Sequence, residues 1–347
     1  MRPIQATPVR MVEDDGSIHF GTFRTPFKTA NILDAPLYAV PAPRAWKNFR
    51  LKEWQHFGII TPTHYFGMVI FDAKFTAASF FYAYDRLQNS RFEHSRRGCT
   101  KAVHVASQLY DDACRFDVNG YHLRFENKLA QGIHRIIIEM DGDAEHPAVQ
   151  GDITVHEDLN VIEPLVQVSP ITRTRPFYTH KAAAPASGRL LIGSQEIVLD
   201  RGSTITLMDE QKTYYPYFSF WKWAMGAGYS DDGKLCAFNL CKNIITDDED
   251  ANENCFWIDG KITCLKAAQF QASDVLKPWT MKTTDGKLNL YFDPAGERAA
   301  KTNIAVIIRS DFHQPFGLFN GRLTDDGGVT YPVKDFFGLV EDHITRY

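Results

Sequence analysis

Turn-forming dipeptides set between apolar runs of period two constrain this chain more than any other feature of its sequence. Asn119-Gly120 lies between Phe116 and Val118 on one side and Tyr121, Leu123 and Phe125 on the other. Asp259-Gly260 separates Cys255–Ile258 from Lys261–Cys264, and Asp285-Gly286 precedes Leu288, Leu290 and Phe292. Gly193-Ser194, Asp232-Gly233 and Asp326-Gly327 sit in similar settings. Such dipeptides readily take the positive φ angles of a two-residue hairpin turn, whose twist matches that of the flanking strands. Repeated along a chain with weak helical periodicity, they predict an all-β, antiparallel fold.

Other apolar stretches, at 65–71, 77–84, 133–140 and 304–308, are too continuous for one buried face and read as strands covered on both sides. The final segment, 333–347, is the one place assigned a short helix. Sheets this extensive must close or pack to hide their edges, so the architecture expected is two lipocalin-like antiparallel barrels or sandwiches in tandem. Pro164, Pro170, Pro176 and Pro185 interrupt the strand pattern. Proline removes a ladder donor, so residues 164–187 read as a linker or a set of edge segments. That places an N-terminal domain at 1–170 and a C-terminal lipocalin-like domain at 171–347. Residues 36–43 read as an irregular, surface-wrapping piece.

Charge excludes some functions. The net charge is −4, from 38 basic and 42 acidic residues spread along the chain, without the basic stripe that nucleic acid requires. The acidic run Asp247-Asp248-Glu249-Asp250 reads as a solvated loop, because it lacks the spacing of a calcium loop. No apolar run approaches the roughly 20 residues of a membrane span, and Met1-Arg2-Pro3-Ile4-Gln5-Ala6 lacks the apolar core of a signal peptide. The six cysteines form no Cys-x-x-Cys pair and read as reduced thiols, which with the missing signal points to the cytoplasm. The twelve histidines show no metal-ligand spacing, so no metal is assigned. Serine-elbow, Walker, zincin and dinucleotide-binding motifs are absent, and no cofactor is expected.

The most unusual segment is Tyr215-Pro216-Tyr217-Phe218-Ser219-Phe220-Trp221-Lys222-Trp223-Ala224-Met225. On a strand, Tyr217, Trp221, Trp223 and Met225 share one face. If Asp232-Gly233 is a two-residue turn, Met225 faces Leu240 and Ala227 faces Phe238. Those rings either fill a barrel or line a cavity for one ligand. Upstream, Asp209 is either the surface end of a strand or an acid pointing into that cavity with a raised pKa. Tyr178 and His180 share one strand face, with Lys181 beside them. Glu253-Asn254, His313-Gln314, Glu341 and His343 are further polar residues next to apolar strands, where each could satisfy buried backbone groups.

In the segments Thr179 to Gly188, Trp221-Lys222-Trp223-Ala224, Glu253-Asn254 with Asp259-Gly260, Pro278-Trp279, Glu297 to Asn303, His313 to Gly317 and Gly338 to His343, the chain resembles an uncharacterised family, domain of unknown function twenty-eight-oh-four. More distantly, Phe177-Tyr178, Ser187-Gly188, Met208-Asp209, Trp221-Lys222-Trp223 and Asp232-Gly233 are similar to the carotenoid hydratase superfamily, which has two lipocalin-like halves. That resemblance implies hydration or cyclisation of isoprenoids, with Asp209 as proton donor and the tryptophan pair lining the pocket. The glycine-rich loop that the family usually has before Glu-Asn is replaced here by residues 246–252, and the family's usual Asp-x-x-Arg-Gly pattern is absent after Asp209, where Glu210-Gln211-Lys212 stand.

Together these readings give a protein that binds a small apolar or amphipathic molecule in an aromatic cavity. Its candidate catalytic residues are Asp209, His180 and Tyr178. Its candidate ligand-binding residues are Lys181, Tyr217, Trp221, Trp223, Met225, Glu253, Asn254 and His313. A cofactor-independent hydratase, isomerase or cyclase is one form of this reading. A non-catalytic lipid or isoprenoid carrier is a second, and a structural or interaction module with a filled core is a third. The oligomeric state is left open.

Overall fold

In the computed structural model, which describes residues 2–38, 41–304 and 308–346, two antiparallel sheets account for most of the chain. The first runs, edge to edge, through Ser90–Gly98, Ala77–Asp85, His64–Asp72, Lys52–Ile60, Ile205–Thr213, Arg175–Ile192, Val149–Val155, Ile133–Met140, Tyr121–Lys128, Asp112–Val118 and Val103–His104. It curls into a near-barrel around Phe57, Phe66, Met68, Phe116, Leu123, Ile136, Ile138 and Ile153. The second is a half-barrel in the order Lys261–Cys264, Cys255–Ile258, Leu235–Lys242, Phe218–Tyr229, Thr330–Arg346, Ile308–Thr324, Leu288–Ile304, Trp279–Thr283 and Ala268–Gln271. Arg44–Arg50 is the one α-helix among the described residues. No helix among them is long and apolar enough to cross a membrane. All six cysteines are unpaired.

The hairpin signals resolve into two kinds. Asn119-Gly120, Gly193-Ser194 and Asp259-Gly260 are two-residue turns between paired strands. Asp259 and Gly260 both take positive φ, 50° and 80°, as the tightest hairpin turn demands. Asp232-Gly233 instead lies in a longer loop over 230–234, where Ser230 Oγ accepts the Lys234 N–H and donates to Asp232 Oδ1. The register therefore shifts by one residue: Met225 faces Asn239 and Ala227 faces Ala237, not Leu240 and Phe238. The expected strand over 304–308 falls mostly outside the described residues.

Two expectations are corrected. Residues 164–187 are not a linker: Leu165–Thr172 pairs with Arg175–Ile192, which lies inside the first sheet. Its prolines sit where no ladder donor is required. Pro170 and Pro176 face each other beside the turn that joins the two strands, at a register irregularity. Pro185 marks the point where its strand exchanges the partner Ile205–Thr213 for Val149–Val155. The second correction concerns the C-terminal segment, which is the strand Thr330–Arg346 and not a helix. Its apolar run Phe336-Phe337-Gly338-Leu339-Val340 is continuous because the strand is buried on both faces, with Phe336 and Val340 on one and Phe337 and Leu339 on the other. The prolines suggested a division at residue 170, whereas the chain crosses from sheet to sheet between Thr213 and Phe218.

The near-barrel interior also holds polar groups. Glu157 accepts from His134 and His180, each at 2.9 Å, all three fully buried. His134 continues to Asn127 at 2.7 Å, and Asn127 to Gln55 at 2.8 Å. Burial alone would raise the Glu157 carboxyl, but His180 and His134 outweigh it and hold it near 2. Removing one member of a buried pair strands the other. Glu157→Gln should therefore lower the unfolding free energy by about 3–5 kcal/mol in urea titrations. A loss below about 1 kcal/mol would show that the network does not support the barrel.

Candidate active site

The strands of the two sheets that face one another set a grid of side chains. Alternation along each strand selects one face, and antiparallel register aligns those faces into rows. Across the first sheet one row runs Lys181, Asp209, His56, Val69, Phe80 and Ser95. The next runs Gln211, Trp54, Phe71, Ala78 and Arg97. In the second sheet Trp223 lies between Cys241 and Glu341, while Trp221, His343, Phe312 and Ala300 form the adjacent row. Between these rows is a cavity of about 520 Å³. Below it, Met225, Tyr65, Tyr82, Leu207 and Leu339 pack the sheets together. At one end Trp54, Tyr215 and Trp221 stack, with centroids 5.5–6.2 Å apart.

Charge inside the cavity is arranged around Lys181. Its ammonium lies 2.6 Å from Asp209 Oδ1 and 3.0 Å from Glu253 Oε2, and 5.0 Å above the Trp223 ring. Burial would lower its pKa, but the two carboxylates outweigh burial and raise it. Asp209 Oδ2 accepts from the Trp54 indole at 3.0 Å, and Glu253 Oε1 from Asn243 at 3.0 Å. Opposite stands Glu341, 6% exposed, with no cation bonded to it among the described residues. Trp221 Nε1 donates to its Oε1 and Gln314 Nε2 to its Oε2 at 2.9 Å. Burial exceeds these bonds and pushes its carboxyl up to about 7. Burial also pushes His343 down to about 3 and His56 to about 4, so both rings are neutral near pH 7.

Of the residues singled out in the sequence, Lys181, Asp209, Trp221, Trp223 and Glu253 come together here. Tyr178 and His180 share a face, but it is turned away from the cavity, where His180 pairs with Glu157 and Tyr178 packs against Phe27 of the N-terminal segment. Met225 belongs to the apolar floor and Tyr217 is exposed on the crossing segment. Asn254 is structural, accepting the Cys241 N–H at 2.6 Å and donating to Lys266 O at 3.0 Å. His313 is one residue out of phase with Phe312 and Gln314 and lies beside Glu297 and Asp311. Sequence reasoning passed over Trp54, His56 and Arg298, and gave Glu341 and His343 only a structural role. Their signal was a polar residue at two-residue spacing inside an apolar strand. Among the described residues no cluster of three or more His, Cys, Asp or Glu could hold a metal ion.

Fold and cavity together define a class, all-β proteins of two lipocalin-like halves that face each other across an aromatic chamber. The family described as Domain of unknown function (DUF2804) matches residues 2–347, and the chain belongs to it. No curated protein matches. Among solved structures, CghA is similar over 85% of this chain and 88% of its own, at 11% identity and a TM-score of 0.53. Kievitone hydratase from Nectria haematococca matches over the same shares at 11% identity and a TM-score of 0.47. A putative ATTH from Nitrosomonas europaea matches over 88% and 97%, at 13% identity and 0.49. The resemblance read from the sequence thus holds for the family and, through the likeness to CghA, for the fold alone.

The Glu341 shift makes stability depend on pH. A carboxyl raised from 4.5 to about 7 binds its proton more tightly in the folded state. That stabilisation is complete below pH 4.5 and is lost as pH rises through about 7. Between about pH 5 and about pH 8 the wild type should lose on the order of 3 kcal/mol relative to Glu341→Gln, whose side chain does not titrate. Parallel stability profiles for the two proteins would rule the shift out.

Proposed function

We propose that this protein is a cofactor-independent enzyme that hydrates, isomerises or cyclises a small, largely apolar molecule by proton transfer inside the intersheet cavity. The observation that carries the reading is Glu341, a buried carboxylic acid pushed up to about 7 that opens onto an aromatic chamber. An acid whose pKa lies near the working pH is both protonated and able to give its proton away. Trp221 and Trp223 beside it present the rings that would favour cationic character developing on a protonated alkene or enol. The shaped walls hold the reactive conformer.

Asp209, the donor implied by resemblance, takes a different part in this reading. It accepts from Lys181 and Trp54, so it acts as the counter-ion that fixes Lys181 and sets the field around the substrate. Glu341 delivers the proton. The fold shared with CghA, which has been solved with Sch210972, is compatible with a bound molecule.

The test is turnover in deuterium oxide. Panels of isoprenoid alkenes and polyketide enols are incubated with the protein, and mass spectrometry follows deuterium delivered to carbon. The wild type should label at least one class, with a rate that falls as pH rises through about 7. Glu341→Gln should lower that rate by about 10²–10⁴-fold while folding is retained. Equal labelling by the variant would remove Glu341 from the chemistry. A stoichiometric ligand extracted unchanged, with no labelling of any class, would make the protein a carrier.

A further inference from the structure

The cavity wall contains polar atoms that the protein leaves without a partner. His56 is 3% exposed, and neither its Nδ1 nor its Nε2 has a hydrogen-bond partner among the described residues. Its neighbours in the row are Asp209 and Val69, and the Trp223 ring meets it edge-on at 5.6 Å. In the facing sheet His343 donates or accepts through Nε2 with Ser310 Oγ at 2.8 Å, but its buried Nδ1 is also unpartnered. A buried polar atom left unsatisfied costs about 1–3 kcal/mol. A neutral imidazole offers one N–H and one lone pair, so such a ring in a cavity wall calls for a partner from outside the chain.

Charge and shape narrow that partner. Lys181 is committed to Asp209 and Glu253, and Arg298 to Glu93 at 3.0 Å. An anionic ligand beside His56 would set its charge next to Asp209, Glu253 and Glu341 with Lys181 and Arg298 already paired, while Arg97, bonded to Thr302, lines the chamber only on the edge strand, three strands away. A cationic ligand would crowd Lys181 and Arg298. A neutral oxygen, hydroxyl or carbonyl, pairs with imidazole without disturbing either arrangement. The surrounding walls are ring faces, Trp54, Phe80, Phe177, Trp221 and Trp223, which favour a flat, unsaturated skeleton. A volume of about 520 Å³ suits a molecule of a few fused or linked rings.

We propose that the cavity selects a neutral, flat, oxygen-bearing molecule, a phenol, enol or enone rather than a bare hydrocarbon or a fatty acid, and that His56 is the specificity-determining residue that hydrogen-bonds its oxygen. The inference deepens the proposed function and rests on it only for the entry of a small molecule, not for catalysis.

Matched probes test it on the full-length protein: 2-naphthol, naphthalene and 2-naphthoate, titrated by tryptophan fluorescence and calorimetry near neutral pH. The wild type should bind 2-naphthol about tenfold more tightly than naphthalene, and 2-naphthoate no better than naphthalene. His56→Leu should erase the naphthol preference while leaving naphthalene affinity within about twofold, and His56→Gln should restore part of it. Equal affinity of the wild type for naphthol and naphthalene, tightest binding of naphthoate, or no binding of any probe would overturn the proposal. So would a preference that survives in a folded His56→Leu. Glu341→Gln separates the two claims. If it keeps the naphthol preference and no panel is labelled in deuterium oxide, His56 selection stands and catalysis falls. If hydrocarbons are labelled with no dependence on His56, catalysis stands and the selection falls.

Discussion

Five adjoining strands of the first sheet, from Ala77–Asp85 across to Arg175–Ile192, are covered on both sides over most of their length, because one side fills the near-barrel and the other meets the second sheet. Successive side chains on such a strand enter different compartments, so neighbours in sequence need not share a role. His180 and Lys181 are adjacent, yet one pairs with Glu157 inside the barrel and the other with Asp209 in the cavity. Asp209 and Glu210 divide in the same way, the second lying 3.3 Å from Lys212 on the barrel side. Phase along these strands, more than residue type, decides which groups can act together.

Burying this many charges is expensive, and the chain offsets the cost by giving two deeply buried lysines more than one anion each. Lys212 lies within 3.3 Å of Glu53 and Glu210, and Lys181 within 3.0 Å of Asp209 and Glu253. Glu253 precedes the second-sheet strand Cys255–Ile258, so the Lys181 cluster also ties the two sheets across the cavity. With the cations committed, Glu341 keeps only the Trp221 and Gln314 hydrogen bonds, which burial exceeds. Its raised pKa therefore follows from how the remaining charges are paired.

Much of this was legible in the sequence because hairpin chemistry is local. The tight turns at 119–120, 193–194 and 259–260 need only their own dipeptides. The register beyond Asp232-Gly233 depended on Ser230, whose hydroxyl lengthens the loop by side-chain bonding that no dipeptide encodes. The four prolines looked like an interruption because their harmlessness depends on strand partners far away in the chain. The same holds at the site. Trp221, Trp223 and Asp209 stood out as unusual types in one neighbourhood. Trp54, His56 and Glu341 come from opposite ends of the chain, and only the pairing of Lys52–Ile60 with Ile205–Thr213 and of Phe218–Tyr229 with Thr330–Arg346 brings them to one chamber.

The chamber itself is hard to account for as packing. A chamber of about 520 Å³ that opens to solvent fills with water when no molecule is bound, so its cost lies in wetted ring faces and not in a void. Water can occupy it, but water gains little from the ring faces of Trp54, Phe80 and Trp223 and would pair only with the polar atoms among them. Elsewhere the same chain closes such gaps, with Tyr65, Tyr82 and Phe337 interleaved between the sheets below. A protein that packs one half of its interface this closely and lines the other half with an unpartnered His56 and a carboxyl near neutrality carries costs concentrated in one place. Costs of that kind are what a binding or reacting molecule relieves when it enters.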